Sequence, residues 1–258
     1  MALLTATAYE TYLLGSASVR RFFRVPGNWI WIPAFPLIQL LVFSQLFKEI
    51  VQLPGFGGTS YLAYLAPGQI VFTVFFATTW SGANLLMHYQ SGFLDKLRVA
   101  PITRISILYG ELVPLFVECA VMAGLILGIS VLLGAPIATG LPGAVLVLLI
   151  GSAFGVAWSG TSFLPALLTK NEQATGSFSL LFMPIAFMST AFVPPGLMPE
   201  WLQTVNRVNP ISYVIEAMRA LMTSGYDWAA IGKAVLAILA VGVVLQAATF
   251  WAFRRLAR

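Results

Sequence analysis

Long apolar runs separated by short polar islands set the plan of this chain. A helix needs about 20 apolar residues to cross a bilayer. Six runs meet that length: Trp29 to Phe47, Tyr61 to Met87, Ser106 to Leu133, Leu141 to Leu168, Thr175 to Val193 and Ala229 to Phe253. Pro33, Pro36, Pro67, Pro114, Pro165 and Pro184 fall inside or at the edges of these runs. Membrane helices tolerate such breaks where neighbouring groups take up the freed carbonyls. The pattern predicts one all-α integral membrane domain over residues 1–258. It divides into a preface (1–28), five spans (29–193), an outer region (194–228), and a sixth span with a basic tail (229–258).

The preface does not read as a span. Tyr12, Val19 and Phe23 recur at helical spacing, with Arg20, Arg21 and Arg24 on a basic side. This predicts an amphipathic helix lying in the membrane interface; a tail followed by stop-transfer arginines is the other reading. Met1 to Gly15 has no basic start and no cleavage-site pattern, so no secretory leader is expected there. Pro26-Gly27-Asn28 then turns the chain inward, and Trp29 and Trp31 make an interfacial anchor.

Two polar stretches stand out. Gln90 to Gly110 ties the second span to the third and carries Asp95, Lys96, Arg98 and Arg104. That charge density belongs in water or among headgroups, where a soluble partner can grip it and deliver mechanical work. The second stretch, Pro194 to Trp228, contains a short helix with Trp201, Val205 and Val208 on one face. Asn209-Pro210 then suits a helix start, with Asn as cap and Pro in the first position. Ile211 to Met222 is too short and too charged to cross, and Glu216 and Arg219, three apart, are placed to pair. These features predict two half-length helices that dip back into the outer leaflet; a surface loop with an amphipathic cover is the alternative.

Composition excludes a soluble globule. The chain is 59% hydrophobic and 9% charged, whereas about a quarter of a soluble domain is charged. Its formal net charge of +5 fits cytoplasmic-loop Lys and Arg better than nucleic-acid binding. With the N-terminus inside, ten basic residues fall on the cytoplasmic side (Arg20, Arg21, Arg24, Lys96, Arg98, Arg104, Lys170, Arg254, Arg255, Arg258). Four fall outside: Lys48, Arg207, Arg219 and Lys233. The positive-inside rule therefore puts both termini in the cytoplasm.

Little here supports chemistry. Cys119 is the single cysteine and His88 the single histidine, so neither an intrachain disulfide nor a zinc site is expected. No nucleophile elbow or phosphate-binding loop is present, so the chain is expected to hold no cofactor and no metal and to be no enzyme. Glu111 and Glu118 share a face of the third span, and an ionisable group there is a functional candidate. Glu111 lies near the cytoplasmic end, able to reach water or Arg104. Glu118 is deeper, either a proton relay or, preferably, a structural hydrogen bonder. Gly124 with Gly128, and Gly151 with Gly155, make small-residue pairs that permit close helix packing. Phe72, Phe75, Phe76 and Trp80, with Phe178, Phe182, Met183 and Met188, form surfaces able to line a path for a greasy planar or long-chain molecule, or to pack against helices and lipid.

Two strings carry a resemblance. Gly92-Phe93-Leu94-Asp95-Lys96-Leu97-Arg98-Val99-Ala100-Pro101-Ile102-Thr103-Arg104, followed by Gly110, resembles the cytoplasmic loop of type-2 ABC exporter permeases, daunorubicin-resistance efflux members above all. Ala191-Phe192-Val193-Pro194, Met198-Pro199-Glu200-Trp201-Leu202, Asn209-Pro210-Ile211-Ser212-Tyr213 and Glu216-Ala217-Met218-Arg219 resemble that family's second conserved region. The resemblance implies a bacterial inner-membrane half-transporter. It would pair with a second permease, identical or related, and with two separate ATPase subunits that hold ATP and Mg2+. Ser91, Gly92, Phe93, Leu94, Asp95, Lys96, Leu97 and Arg98 would form the coupling helix between spans 2 and 3. Trp201, Asn209, Pro210, Glu216 and Arg219 would belong to the outer gate. The implied cargo is a hydrophobic or amphipathic drug, natural product or lipid, or else a lipid-linked polysaccharide. A proton-coupled carrier using Glu118 is the rival of another class; internal inverted repeats would favour it, and none is seen. A lipid-acting membrane enzyme fits poorly, because Glu200, Glu216 and Asp227 lack a His or metal-ligand set beside them.

Overall fold

The computed structural model describes residues 26–54, 56, 60–90 and 104–256. The expected interfacial helix before residue 26 and the loop Ser91 to Arg98 lie outside the described residues. Among the described residues ten α-helices follow in order: α1 (Pro26–Leu46), α2 (Tyr61–Gln90), α3 (Arg104–Leu132), α4 (Gly140–Trp158), α5 (Gly160–Thr169), α6 (Glu172–Leu180), α7 (Met183–Phe187), α8 (Glu200–Val208), α9 (Pro210–Thr223) and α10 (Trp228–Leu256). Among the described residues four stretches are long and apolar enough to cross a membrane: Tyr61–Met87, Gly110–Leu132, Gly140–Thr169 and Trp228–Arg254, with Ile30–Leu46 a shorter apolar helix.

α2 is the hub, packed against α1, α3, α4, α5, α6 and α9. Its Phe72 and Phe75 are fully buried, as are Phe154, Phe163 and Met122 around it. α10 is the opposite case: only 6% of its apolar window is buried by the rest of the chain. Leu236, Val243 and Val244 point outward, which in hydrocarbon costs nothing because lipid is as apolar as leucine.

Two expected spans differ from continuous helices. The fourth breaks at Ser159, between α4 and α5. Gln246 of α10 reaches into the break and donates to the Val156 carbonyl (2.7 Å) and the Ser159 hydroxyl (3.1 Å). Pro165, farther along, supplies no N–H, and the Thr161 carbonyl accepts from Ser179 of α6 instead (3.4 Å). Lys170 ends α5 in the left-handed conformation (φ 53°), and Asn171 caps α6 by accepting from the Ala174 N–H.

The fifth, expected from Thr175 to Val193, is corrected by the structure. The helix stops at Leu180, restarts for one turn from Met183 to Phe187, and then runs irregularly past Val193. Pro184 starts the short turn and cannot continue a longer one, and Pro194-Pro195 prevents a restart.

The small-residue pairs separate clearly. Added side-chain carbons at Gly151 and Gly155 would meet neighbouring helices: Met218 Cε at 3.4 Å and Val74 Cγ1 at 2.8 Å. Gly128 faces open space. An approach to backbone lies at Gly160, where a Cβ would sit 2.7 Å from Leu245 Cβ and 2.8 Å from the Leu245 carbonyl oxygen of α10. Backbone cannot yield as a side chain can. Gly160→Val is expected to cost about 1–3 kcal/mol, read as a lowered thermal midpoint in detergent, while Gly128→Ala changes it little or raises it. Equal midpoints for the two variants would refute the close α5–α10 contact.

Candidate functional site: the anchored re-entrant pair

The region expected to be an outer gate forms a cluster at the end of the bundle where α2 begins. Asn209 is buried and does two things at once. Its Oδ1 accepts from the Ile211 N–H, capping α9, and its Nδ2 donates to the Ile185 carbonyl (2.8 Å) in the broken fifth segment. Pro210 takes the first position of α9, where no N–H is needed. α9 buries Ile211, Val214, Ile215, Met218, Leu221 and Met222. It is tied to the α3–α4 turn as well, since Thr139 Oγ1 donates to the Leu221 carbonyl (2.7 Å) and the Ala138 N–H to that of Met222 (2.8 Å).

Arg219 is the centre of the cluster. Its Nη2 donates to the Thr190 carbonyl (2.6 Å), its Nε to the Tyr64 carbonyl (3.3 Å), and the guanidinium lies 3.7 Å over the Tyr64 ring. Tyr64 Oη donates to the same Thr190 carbonyl (2.9 Å), and Tyr61 Oη donates to that of Phe192 (3.1 Å). Ser212 accepts from the Thr190 N–H (3.3 Å) and donates to Asn206 Oδ1. The irregular stretch after α7 therefore survives because side chains of α2 and α9 satisfy its backbone. Burial pulls the Arg219 pKa below its ordinary value, and the Tyr64 ring and Glu216 push it back up.

The expected Glu216–Arg219 pair is not the contact formed. Arg219 turns inward to carbonyls and a ring, while Glu216 is exposed. Three charge-assisted contacts in a desolvated site outweigh one exposed ion pair three residues away. Trp201 projects from α8, 60% exposed, and Val208 is exposed with it, whereas Asn206 is buried.

Other sequence candidates are scattered. Glu118 is buried in the middle of α3 beside Cys119; Glu111 is half-buried a little under two turns earlier. Phe72 packs edge-on against Phe187 and Phe192, and Phe75 against Phe76, so both fill the core. Phe178, Phe182 and Trp158 make a second aromatic group, in which Phe182 lies 5.8 Å from each of the other two rings. Phe76, Phe182 and Met183 are half-buried, and Trp80 and Phe178 reach the surface. Among the described residues no three His, Cys, Asp or Glu stand close enough to hold a metal. Sequence reasoning missed Tyr61 and Tyr64, although two tyrosines one turn apart at the head of a span are a readable sign of an anchored helix end.

Comparison with known proteins agrees with this arrangement. Residues 9–223 match the ABC-2 type transporter family. The chain is 31% identical over 215 residues to the daunorubicin resistance ABC transporter permease protein DrrB1 of Streptomyces coeruleorubidus, covering 80% of this chain and 72% of that one. It is 32% identical to the putative transport permease ycf38 of Porphyra purpurea, over 75% of this chain and 66% of that one. A probable doxorubicin resistance ABC transporter permease protein, DrrC of Mycobacterium tuberculosis, is 27% identical over 57% of this chain and 54% of its own. This multi-pass helical membrane protein belongs to the ABC-2 type transporter family, as a permease subunit.

Proposed function

We propose that the chain is the membrane half of an ATP-driven exporter in a bacterial inner membrane, moving hydrophobic or amphipathic compounds outward. Its relationship to permeases named for daunorubicin and doxorubicin resistance carries this reading. Two copies, or one copy and a related permease, form the pathway with two separate ATPase subunits that bind ATP and Mg2+. Ser91 to Arg98 docks on the ATPase, both termini are cytoplasmic, and the whole of 1–258 is one domain. α1, α2, α3, α4–α5, the broken α6–α7 segment and α10 make six crossings. α8 and α9 re-enter from the outer face, held by Arg219. This assignment is supported by α9 being wedged between the head of α2 and the α3–α4 turn.

Liposomes containing the chain and its ATPase subunits are expected to transport daunorubicin only with ATP, with inhibition by vanadate and none by a proton uncoupler. Transport by the chain alone on a proton gradient, lost in Glu118→Gln, would replace this reading with the carrier. Buried Glu118 makes that comparison worth running.

A further inference from the structure

The fourth span opens where its own sequence does not require it. Pro165 has no N–H for the Thr161 carbonyl, but the break lies more than a turn earlier, at the Val156 carbonyl. The helical partner of that carbonyl is Gly160, which has an N–H to give. Ser159, between α4 and α5, keeps right-handed helical backbone (φ −58°, ψ −22°). Side chains hold the Val156 carbonyl instead: Ser159 Oγ donates to it at 2.8 Å and Gln246 Nε2 at 2.7 Å. A side chain inserted into the helical ladder is one cause of a kink. Gln246 comes from α10, which approaches closely because Gly160 faces Leu245 and Gly242 faces Ala157.

This insertion is balanced rather than tight. Gln246 Nε2 also donates to Ser159 Oγ (3.1 Å), yet Gln246 Oε1 is buried with no hydrogen-bond partner among the described residues. One unpaired buried acceptor costs about as much as one or two neutral hydrogen bonds contribute. Closing the ladder asks for no new backbone conformation, so the open and closed forms lie near one another in free energy. The neighbouring turn of α2 is softened at the same level. The Thr78 and Thr79 hydroxyls donate to the Phe75 carbonyl (2.7 and 3.0 Å) and Ser81 to that of Thr78 (2.7 Å), a back-bonding that bends helices. Ser162 of α5 joins that turn through Gly82 and Thr79.

We infer that the α4–α5 junction is a two-state hinge and that Gln246 is its latch. In the form seen here Gln246 holds the ladder open. In the other form the Gly160 N–H takes the Val156 carbonyl, Gln246 lets go, and α4 runs straight into α5. The softened turn of α2 follows through Ser162. That the swing serves transport rests on the export reading; the hinge itself does not. α5 has 10 residues, an arm about 15 Å long, and a swing of about 20° moves its tip by about 5 Å.

The test uses the full chain in lipid nanodiscs, with Cys119→Ala so that nitroxide labels go only to cysteines placed at Leu168 of α5 and Val244 of α10, both exposed. Electron paramagnetic resonance then reads two separations about 5 Å apart, one for each form. Gln246→Met removes the competing donor at nearly constant volume, and is expected to shift the ratio of the two roughly tenfold toward the straight form. Ser159→Ala takes one donor from Val156 and one acceptor from Gln246, and shifts it the same way by less. A merely structural glutamine gives a different result, because its loss blurs the distribution without filling a second defined separation. The proposal is overturned by any of three outcomes: separations unmoved in both variants, a blurred distribution in place of a second peak, or failure of Gln246→Met to assemble. With the ATPase subunits, ATP and vanadate present, the wild-type chain is expected to move toward the separation seen in Gln246→Met; no response strikes the hinge from the transport cycle. ATP-driven export with unmoved separations removes the hinge and leaves the exporter. A second separation in Gln246→Met without ATP-driven export does the reverse.

Discussion

Replacing Arg219 with leucine is expected to lower the stability of the chain by about 3 kcal/mol and to abolish export. The guanidinium makes hydrogen bonds to two carbonyls and stacks over Tyr64. A hydrogen bond to a charged group contributes about 1.5–3 kcal/mol, and a desolvated cation–π contact about 2. These do not add in full, because Tyr64 Oη still serves the Thr190 carbonyl when Arg219 is gone. Arg219→Lys keeps the charge but not the planar fork, so it should recover only part of the loss. Glu216→Gln is the discriminating control. If Arg219 acts through carbonyls and a ring, Glu216→Gln stays within about 0.5 kcal/mol of the parent. Equal losses in Arg219→Leu and Glu216→Gln, by thermal midpoint in detergent, would restore the ion pair and remove the anchor.

That contrast shows where reading the sequence stops. The apolar runs fixed α2, α3 and α10 nearly to their ends, because a bilayer demands length and hydrophobicity and both are local properties. Asn209-Pro210 was legible for the same reason: a cap depends on its immediate neighbours. Arg219 was not. Its partners are 29 and 155 residues away, and the local pairing rule pointed to Glu216. The break in the fifth segment stayed hidden because Thr175 to Val193 is apolar enough throughout to read as one continuous helix. Its carbonyls are nevertheless satisfied from other elements, and nothing along the segment itself announces Tyr61, Tyr64 or Asn209 as donors. Phe72 and Phe75, open in the sequence between a lined path and helix packing, are buried within the chain, and an aromatic stripe looks the same whether it faces a cavity or another helix.

Reversing the charges of the loop, as Asp95→Lys, Lys96→Glu and Arg98→Glu together, is expected to cut ATP-driven export by about a hundredfold while the thermal midpoint of the isolated chain stays put. Mispairing buried charges at a protein interface costs several kcal/mol, and about 2.7 kcal/mol already corresponds to that factor. The consequence reaches the bundle because the loop joins α2, which ends at Gln90, to α3, which begins at Arg104. Near the same end α2 is fastened to α5: Ser162 Oγ accepts from the Gly82 N–H at 2.7 Å and donates to the Thr79 carbonyl at 3.1 Å. Gly82 is small because a side chain there would strike Ser162 and its carbonyl. If the ATPase docks on the loop as proposed, a push there is expected to move α2 and α5 together, and α5 lies close against α10 at Gly160. On that proposal, force applied to a few charged residues would reach α9, which is held at the head of α2 by Arg219. Undiminished export with the loop reversed would mean that the ATPase engages some other part of the chain.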